Sequence, residues 1–398
     1  MRVTALVAAC AVLAAPPSTW AATVYTVSAQ RLEAELTAIT ADGKLLLVQG
    51  GKKSTLPLDR VYRVRLRDTA AARSPAAAAE VRTVEGTCLY GTLARSNRAV
   101  GVRSRAVGGT VHFAIEQLLG VRFARKAGPQ IDAGRFEREI ARPDKDSDVL
   151  FVSSPKGVIP YNVAVERIAP DKTRFNWNGE DRSVETSQVA AVVLANSRAA
   201  ERPQASVRLA DASVLNGGLV GLQRGRLELE LSGVKLKVPL AGVLSMELAN
   251  PNVVYLSDLR PARVQETPFF NHVWKHRVDR SVWGNPLSLG GRVYDRGIGC
   301  HTRTVLTYDI GGEYRKLAAV IGIDDEVPRT GAGPYGSVEF KVEADGKTLR
   351  SAVLTGRDKP ARLVLDISKV RRLSLIADFG ADANVGDHAD WADVRLLK

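Results

Sequence analysis

The sequence predicts an all-β chain in which repeated small antiparallel β-units are followed by a larger β-sandwich. Three observations carry this. A pattern of apolar positions eleven residues long occurs four times in the amino-terminal part. The carboxy-terminal part consists of short alternating segments broken by Gly turns, with no helical period. The composition is that of a folded, turn-rich protein: 45% apolar and 25% charged residues, with 34 Gly and 18 Pro among 398.

The chain opens with a segment that reads as a leader. Arg2 precedes an Ala/Val/Leu stretch from Val3 to Ala15, followed by Pro16-Pro17-Ser18-Thr19-Trp20-Ala21-Ala22. A charged start, an apolar stretch too short to span a bilayer and a small-residue exit mark a secretory signal peptide. Residues 1–22 are assigned to it, with cleavage near Ala21 or Ala22. The mature protein is therefore expected to be secreted, periplasmic or held at the cell surface. No later segment reaches the ~18 uninterrupted apolar residues of a membrane helix, so no transmembrane segment is expected. Past the leader only Cys88 and Cys300 remain, which excludes a disulfide framework. Cys300 lies in an apolar strand pattern and is expected in the core.

The four copies of the repeat are LPLDRVYRVRL (Leu56 to Leu66), FAIEQLLGVRF (Phe113 to Phe123), VETSQVAAVVL (Val184 to Leu194) and VPLAGVLSMEL (Val238 to Leu248). Each is apolar at positions one, six, nine and eleven. Asp42-Gly43 precedes Leu45-Leu46-Leu47-Val48, and Gly225 precedes the strictly alternating Leu227-Glu228-Leu229-Glu230-Leu231, as a half-buried strand requires. The units are placed at 23–69, 80–127, 148–196 and 204–250, with Leu58, Val61, Leu240 and Val243 pointing inward. A two-stranded unit cannot bury its own apolar face, so the units must pack together or close into small barrels. The order of turn, strand, Gly turn, strand and final strand resembles Sm-like or SH3-like small barrels. Ala70 to Ala79 reads as an Ala-rich linker, and Ile131 to Asp148 as a short helix with a charged loop.

The net charge of +13 does not point to nucleic acid. The arginines are scattered among acids instead of forming a run, the aromatic-plus-Gly signatures of RNA modules are missing, and an exported protein rarely meets RNA. The repeats are expected to act as a scaffold or to contact protein partners.

From Asn250-Pro251 onward the sequence changes character. Val254-Tyr255-Leu256-Ser257-Asp258-Leu259 is followed by Trp274, by Val278-Asp279-Arg280-Ser281, and by the long run from Pro286 through Gly290-Gly291-Arg292-Val293-Tyr294-Asp295-Arg296-Gly297 to His301. Leu306 to Ile310, Val320 to Asp325, Gly336 to Phe340, Asp345-Gly346-Lys347 and DHADWADVRL (Asp387 to Leu396) complete the series. In this order the motifs resemble the NPCBM family of carbohydrate-binding modules, over residues 253–398. The resemblance implies a jelly-roll β-sandwich of the galactose-binding-like type, often found beside glycoside hydrolases. The residues agree independently: SVEFKVEADGKTL reads as a hairpin turning at Asp345-Gly346, and Leu363 to Ile367 and Leu373 to Ala377 read as strands.

A sugar site needs an aromatic face for the ring's C–H groups and a few fixed polar groups for its hydroxyls. Trp274, Tyr294, Arg296, His301, Asp324, His388 and Trp391 are the candidates, with Trp283 and Asp325 also available. A core role competes for Trp391 and His301. Asp387, Asp390 and Asp393, three residues apart, are candidates for a structural calcium site, which would need six to eight hard oxygens. Zinc is disfavoured: His272 and His276 stand four apart, but neither HExxH nor paired CxxC occurs. No GxSxG elbow, P-loop or dinucleotide fingerprint appears, and the repeats leave no room for a glycosidase barrel of about 250 residues. The expectation is an exported, non-catalytic carbohydrate-binding protein. Galactose or N-acetylgalactosamine is the first ligand, by the family's association. The alternatives are an extracellular interaction scaffold without sugar binding, an accessory component of glycoside hydrolysis, or a hydrolase in the repeats.

Overall fold

The computed structural model describes residues 20–67, 79–96, 100–124, 128–144, 146–195, 203–268, 272–327, 336–381 and 384–398. Within them the chain is all-β, and every strand pairing is antiparallel. Residues 1–19 of the expected leader, and 70–78 of the Ala-rich linker, lie outside the described residues. Trp20, Ala21 and Ala22, expected as the leader's exit, instead open the strand Trp20–Thr26 and pair with Leu36, Glu35 and Ala34. The reason is alternation: Ala22 and Val24 point into the core, and Trp20 packs on its edge.

The amino-terminal part consists of four units of five strands each. In every unit the eleven-residue pattern plays one role. Its opening residues end the fourth strand, its centre forms a one-turn 3₁₀ helix, and the fifth strand begins at its sixth residue. The 3₁₀ turns are Leu58–Arg60, Ile115–Gln117, Thr186–Gln188 and Leu240–Gly242. The fifth strands are Val61–Arg65, Leu118–Phe123, Val189–Val193 and Val243–Leu248. Each fifth strand returns to pair with the first strand of its own unit, through one irregularity in register, which curls the unit around its apolar face. Val61, Leu240 and Val243 are buried. Leu58 differs: it is half-buried and packs against the core from its edge.

The units then join in pairs through those fifth strands. Val64 lies opposite Met246, joining the first unit to the fourth. Val121 lies opposite Val192, joining the second to the third. Both pairings are symmetric about position nine of the pattern. One apolar cluster runs through all four units as a result, from Ala22 to Met246. The short helix Ala133–Ala141 bridges the second and third units; Asp132 caps it by accepting from the Arg135 N–H. Its Phe136 and Ile140 pack on Phe151 and Val193.

The carboxy-terminal part is a β-sandwich. One sheet runs in the order Arg277–Val278, Gly297–His301, His388–Leu397, Lys316–Ile323, Ala361–Asp366, with Val253–Tyr255 added beside His388–Leu397. The other runs Arg263–Glu266, Thr304–Asp309, Arg372–Phe379, Ser337–Ala344, Lys347–Thr355. The core between them holds Ile298, Ile321, Phe340, Leu375 and Trp391.

Charged residues tie the sandwich to the repeats. Arg63 of the first unit reaches Glu247 of the fourth at 2.6 Å and Asp393 of the sandwich at 2.9 Å, and donates to the Tyr255 hydroxyl. Arg208 pairs with Asp295 at 2.7 Å. Arg292 donates to the Tyr25 hydroxyl and Arg362 to the Ala29 carbonyl. Arg63 and Asp393 are both buried, so these pairs are shielded from salt far better than surface ones.

Candidate functional site

His301 ends one strand and His388 begins its neighbour, and the register places the two opposite each other. Their rings are 5.6 Å apart, centre to centre. Trp274 stacks on His301 at 5.2 Å and lies 6.3 Å from His388; His272 meets the edge of Trp274 at 4.6 Å. Trp283 meets His388 edge-on at 4.6 Å and is 55% exposed, the indole that offers a face to solvent.

Trp283 rides on a tight turn. Ser281 and Asn285 close it through Asn285 O and Ser281 Oγ, and Gly284 takes a left-handed φ of 93° that a side chain would resist. The Glu326 carboxylate fixes both the turn and the ring beside it. It accepts from the Ser281 hydroxyl at 2.7 Å and the Asn285 amide at 2.8 Å, and holds His388 Nδ1 at 2.8 Å. Asp324 and Asp325 brace the adjoining hairpin. Asp324 accepts from the Ser288 and Glu326 N–H groups; Asp325 accepts from the Ser288 hydroxyl and from the N–H groups of Gly290 and Gly291. Burial pushes the Asp324 carboxyl above its ordinary pKa. It lowers the His301 imidazole to about 4, so that ring is neutral at physiological pH.

The structure therefore brings Trp274, His301 and His388 together, with Asp324 as a support behind them. It separates the other candidates. Trp391 is 1% exposed and packs edge-on against Phe340 in the core, where no sugar can reach its face. Tyr294 is buried under the Arg292 guanidinium, among Leu287, Leu289 and Ala392. Arg296 is committed to Asp258 at 2.8 Å and Asp279 at 3.2 Å. Both lie near the junction with the repeats, beside Asp393 and Tyr255.

The three aspartates do not form a calcium shell. Asp387 accepts from the Thr302 hydroxyl and the Ser337 N–H. Asp390 faces Asp324, and burial followed by that neighbour holds its carboxyl well above the usual range. Asp393 pairs with Arg63 and Arg395. Asp393 takes a left-handed φ of 53° where the strand's register shifts, so Asp390 and Asp393 both turn away from the sandwich core, yet each is held by different neighbours. Among the described residues no group of three or more His, Cys, Asp or Glu side chains is placed to hold a metal.

Sequence reasoning did not single out Glu326, Ser281 or Asn285. Two signals were available: a third carboxylate in Asp324-Asp325-Glu326, and a Gly-containing turn carrying a tryptophan.

Residues 252–397 match the NPCBM/NEW2 domain family. This segment is an NPCBM/NEW2 domain. Over 123 residues the chain is 35% identical to an alpha-1,3-galactosidase B of Akkermansia muciniphila; the match takes in 30% of this chain and 15% of that protein. Among solved structures it is similar to a CBM51 from Clostridium perfringens GH95 in complex with methyl-galactose, at 25% identity and a TM-score of 0.33. That match covers 36% of this chain and 99% of the other. It is also similar to CBM51-2, in complex with GlcNAc, and INT domains from Clostridium perfringens ZmpB, at 25% identity and a TM-score of 0.34. This second match covers 44% of this chain and 36% of the other. Among the described residues no helix is long and apolar enough to cross a membrane. The NPCBM/NEW2 domain contains the whole Trp274–Trp283–His301–His388 cluster together with its Glu326 support.

Proposed function

We propose that this chain is an exported, non-catalytic carbohydrate-binding protein whose NPCBM/NEW2 domain recognises galactose-type glycans at the His301–His388 cluster. One observation carries the reading. An exposed indole, Trp283, is locked beside a histidine pair by a carboxylate that also closes the indole's own turn. This is a ring face next to fixed polar groups, which is what a sugar needs. The match to an alpha-1,3-galactosidase supports galactose or N-acetylgalactosamine as the first ligand and fits an accessory role beside glycoside hydrolysis. The four-unit assembly serves as the rigid base on which the domain is mounted.

Calorimetric titration of the whole chain with a glycan panel tests this. Millimolar-to-micromolar binding of a galactoside, about −4 to −8 kcal/mol, is expected, with no release of reducing ends. A silent panel sinks the sugar reading, and sugar release sinks the non-catalytic one.

A further inference from the structure

The two histidines of the cluster have their ring protons assigned by their partners. His301 Nδ1 lies 3.1 Å from the Thr302 carbonyl oxygen, which can only accept. His388 Nδ1 lies 2.8 Å from the Glu326 carboxylate, whose two oxygens take three contacts, from Ser281, Asn285 and His388. Each Nδ1 must therefore carry the hydrogen, and in the neutral ring the other nitrogen, Nε2, is then a bare acceptor. No described residue hydrogen-bonds either Nε2. In their neutral forms, two imidazoles whose centres are 5.6 Å apart thus both present an acceptor at their open nitrogen.

We infer that this site selects its ligand by hydroxyl donation: two O–H groups of one neutral sugar donate to His301 Nε2 and His388 Nε2, with an indole covering the ring. This inference rests on the sugar-binding reading above and adds the chemistry of selection. Acceptor-only groups such as sulfate, carboxylate or a methyl ether meet two lone pairs there and are rejected. The cost of facing a buried acceptor without a donor makes the selection steep.

Two measurements on the intact chain at pH 8 decide it. The first is the nitrogen-15 spectrum of the imidazoles, with His301 and His388 assigned by single Gln variants. Protonated Nδ1 and unprotonated Nε2 at both residues are expected; a proton on either Nε2 overturns the inference whether or not any sugar binds. The second is titration with methyl β-galactoside and its mono-deoxyfluoro and mono-O-methyl analogues, alongside inorganic sulfate. Analogues altered at either of two particular hydroxyls should bind on the order of tenfold more weakly or worse, because that hydroxyl can no longer donate, and sulfate should not bind. If all analogues bind like the parent, or sulfate competes with it, donor selection is wrong while sugar binding stands. If no galactoside binds although both Nε2 atoms are bare, the sugar-binding reading falls and this inference falls with it.

Discussion

His301 and His388 face each other across neighbouring strands at 5.6 Å, one anchored to the Thr302 carbonyl and the other to Glu326. Their environments give them different tasks. His301 is 3% exposed, and burial lowers it to about 4, which makes it a neutral ring at physiological pH. His388 has a carboxylate at its back and the exposed Trp283 against its edge.

The first prediction concerns acid stability. A histidine with an unfolded pKa near 6.5 and a folded value of about 4 binds its proton more readily when unfolded. Its contribution is complete above about pH 6.5 and is lost as pH falls through the folded value. The total is roughly 3 kcal/mol for a shift of this size. Urea unfolding at pH 7.5 and pH 4 should show a steeper loss in the wild type than in His301→Gln. Equal losses would mean that His301 is not held neutral by burial.

Two tryptophans should separate binding from folding. Trp283→Ala removes an exposed ring, so stability should change by no more than about 0.5 kcal/mol while galactoside affinity falls several-fold. Trp391→Ala empties a core position and should cost ~3–5 kcal/mol in folding. Thermal melts and titrations of both variants check the assignment, and a Trp391 variant that melts like wild type would return that residue to the surface.

The junction between repeats and sandwich should depend on Arg63. Its removal leaves Glu247 without its cation, and Asp393 with only Arg395. Breaking one partner of a buried pair typically costs ~3–5 kcal/mol. Arg63→Ala should split the calorimetric transition into separate melts of repeats and sandwich. A single unchanged transition would show that the pairs do not couple the two parts.

Position nine of the repeat should be intolerant of charge. Val64 and Val121 are buried at the centres of the two strand pairings that join the units. Val64→Asp or Val121→Asp should destabilise by several kcal/mol, through an unpaired buried carboxylate at an inter-unit strand. Denaturant midpoints close to wild type would mean that the units do not associate through these strands.

The sequence by itself determined the all-β class, the four repeats with their pattern of buried positions, and the carbohydrate-binding family of the last part. These are legible because they depend on local periodicity and ordered motifs: an apolar residue at position nine is required wherever two fifth strands meet. Only the tertiary structure decided which aromatic faces outward. Trp391 and Trp283 both lie in polar sequence surroundings, yet strand register sends one into the core and a Gly turn lifts the other out. The same holds for the carboxylates. Asp390 and Asp393 look equivalent in spacing, but a shift of register with a left-handed Asp393 interrupts the strand's alternation between them, and one meets Asp324 while the other meets Arg63. The candidate cluster draws on residues 274, 283, 301, 326 and 388, joined only by pairing of strands and packing of loops. No local pattern records such a meeting, because the contact energy that fixes it comes from the folded neighbours and not from the segment itself.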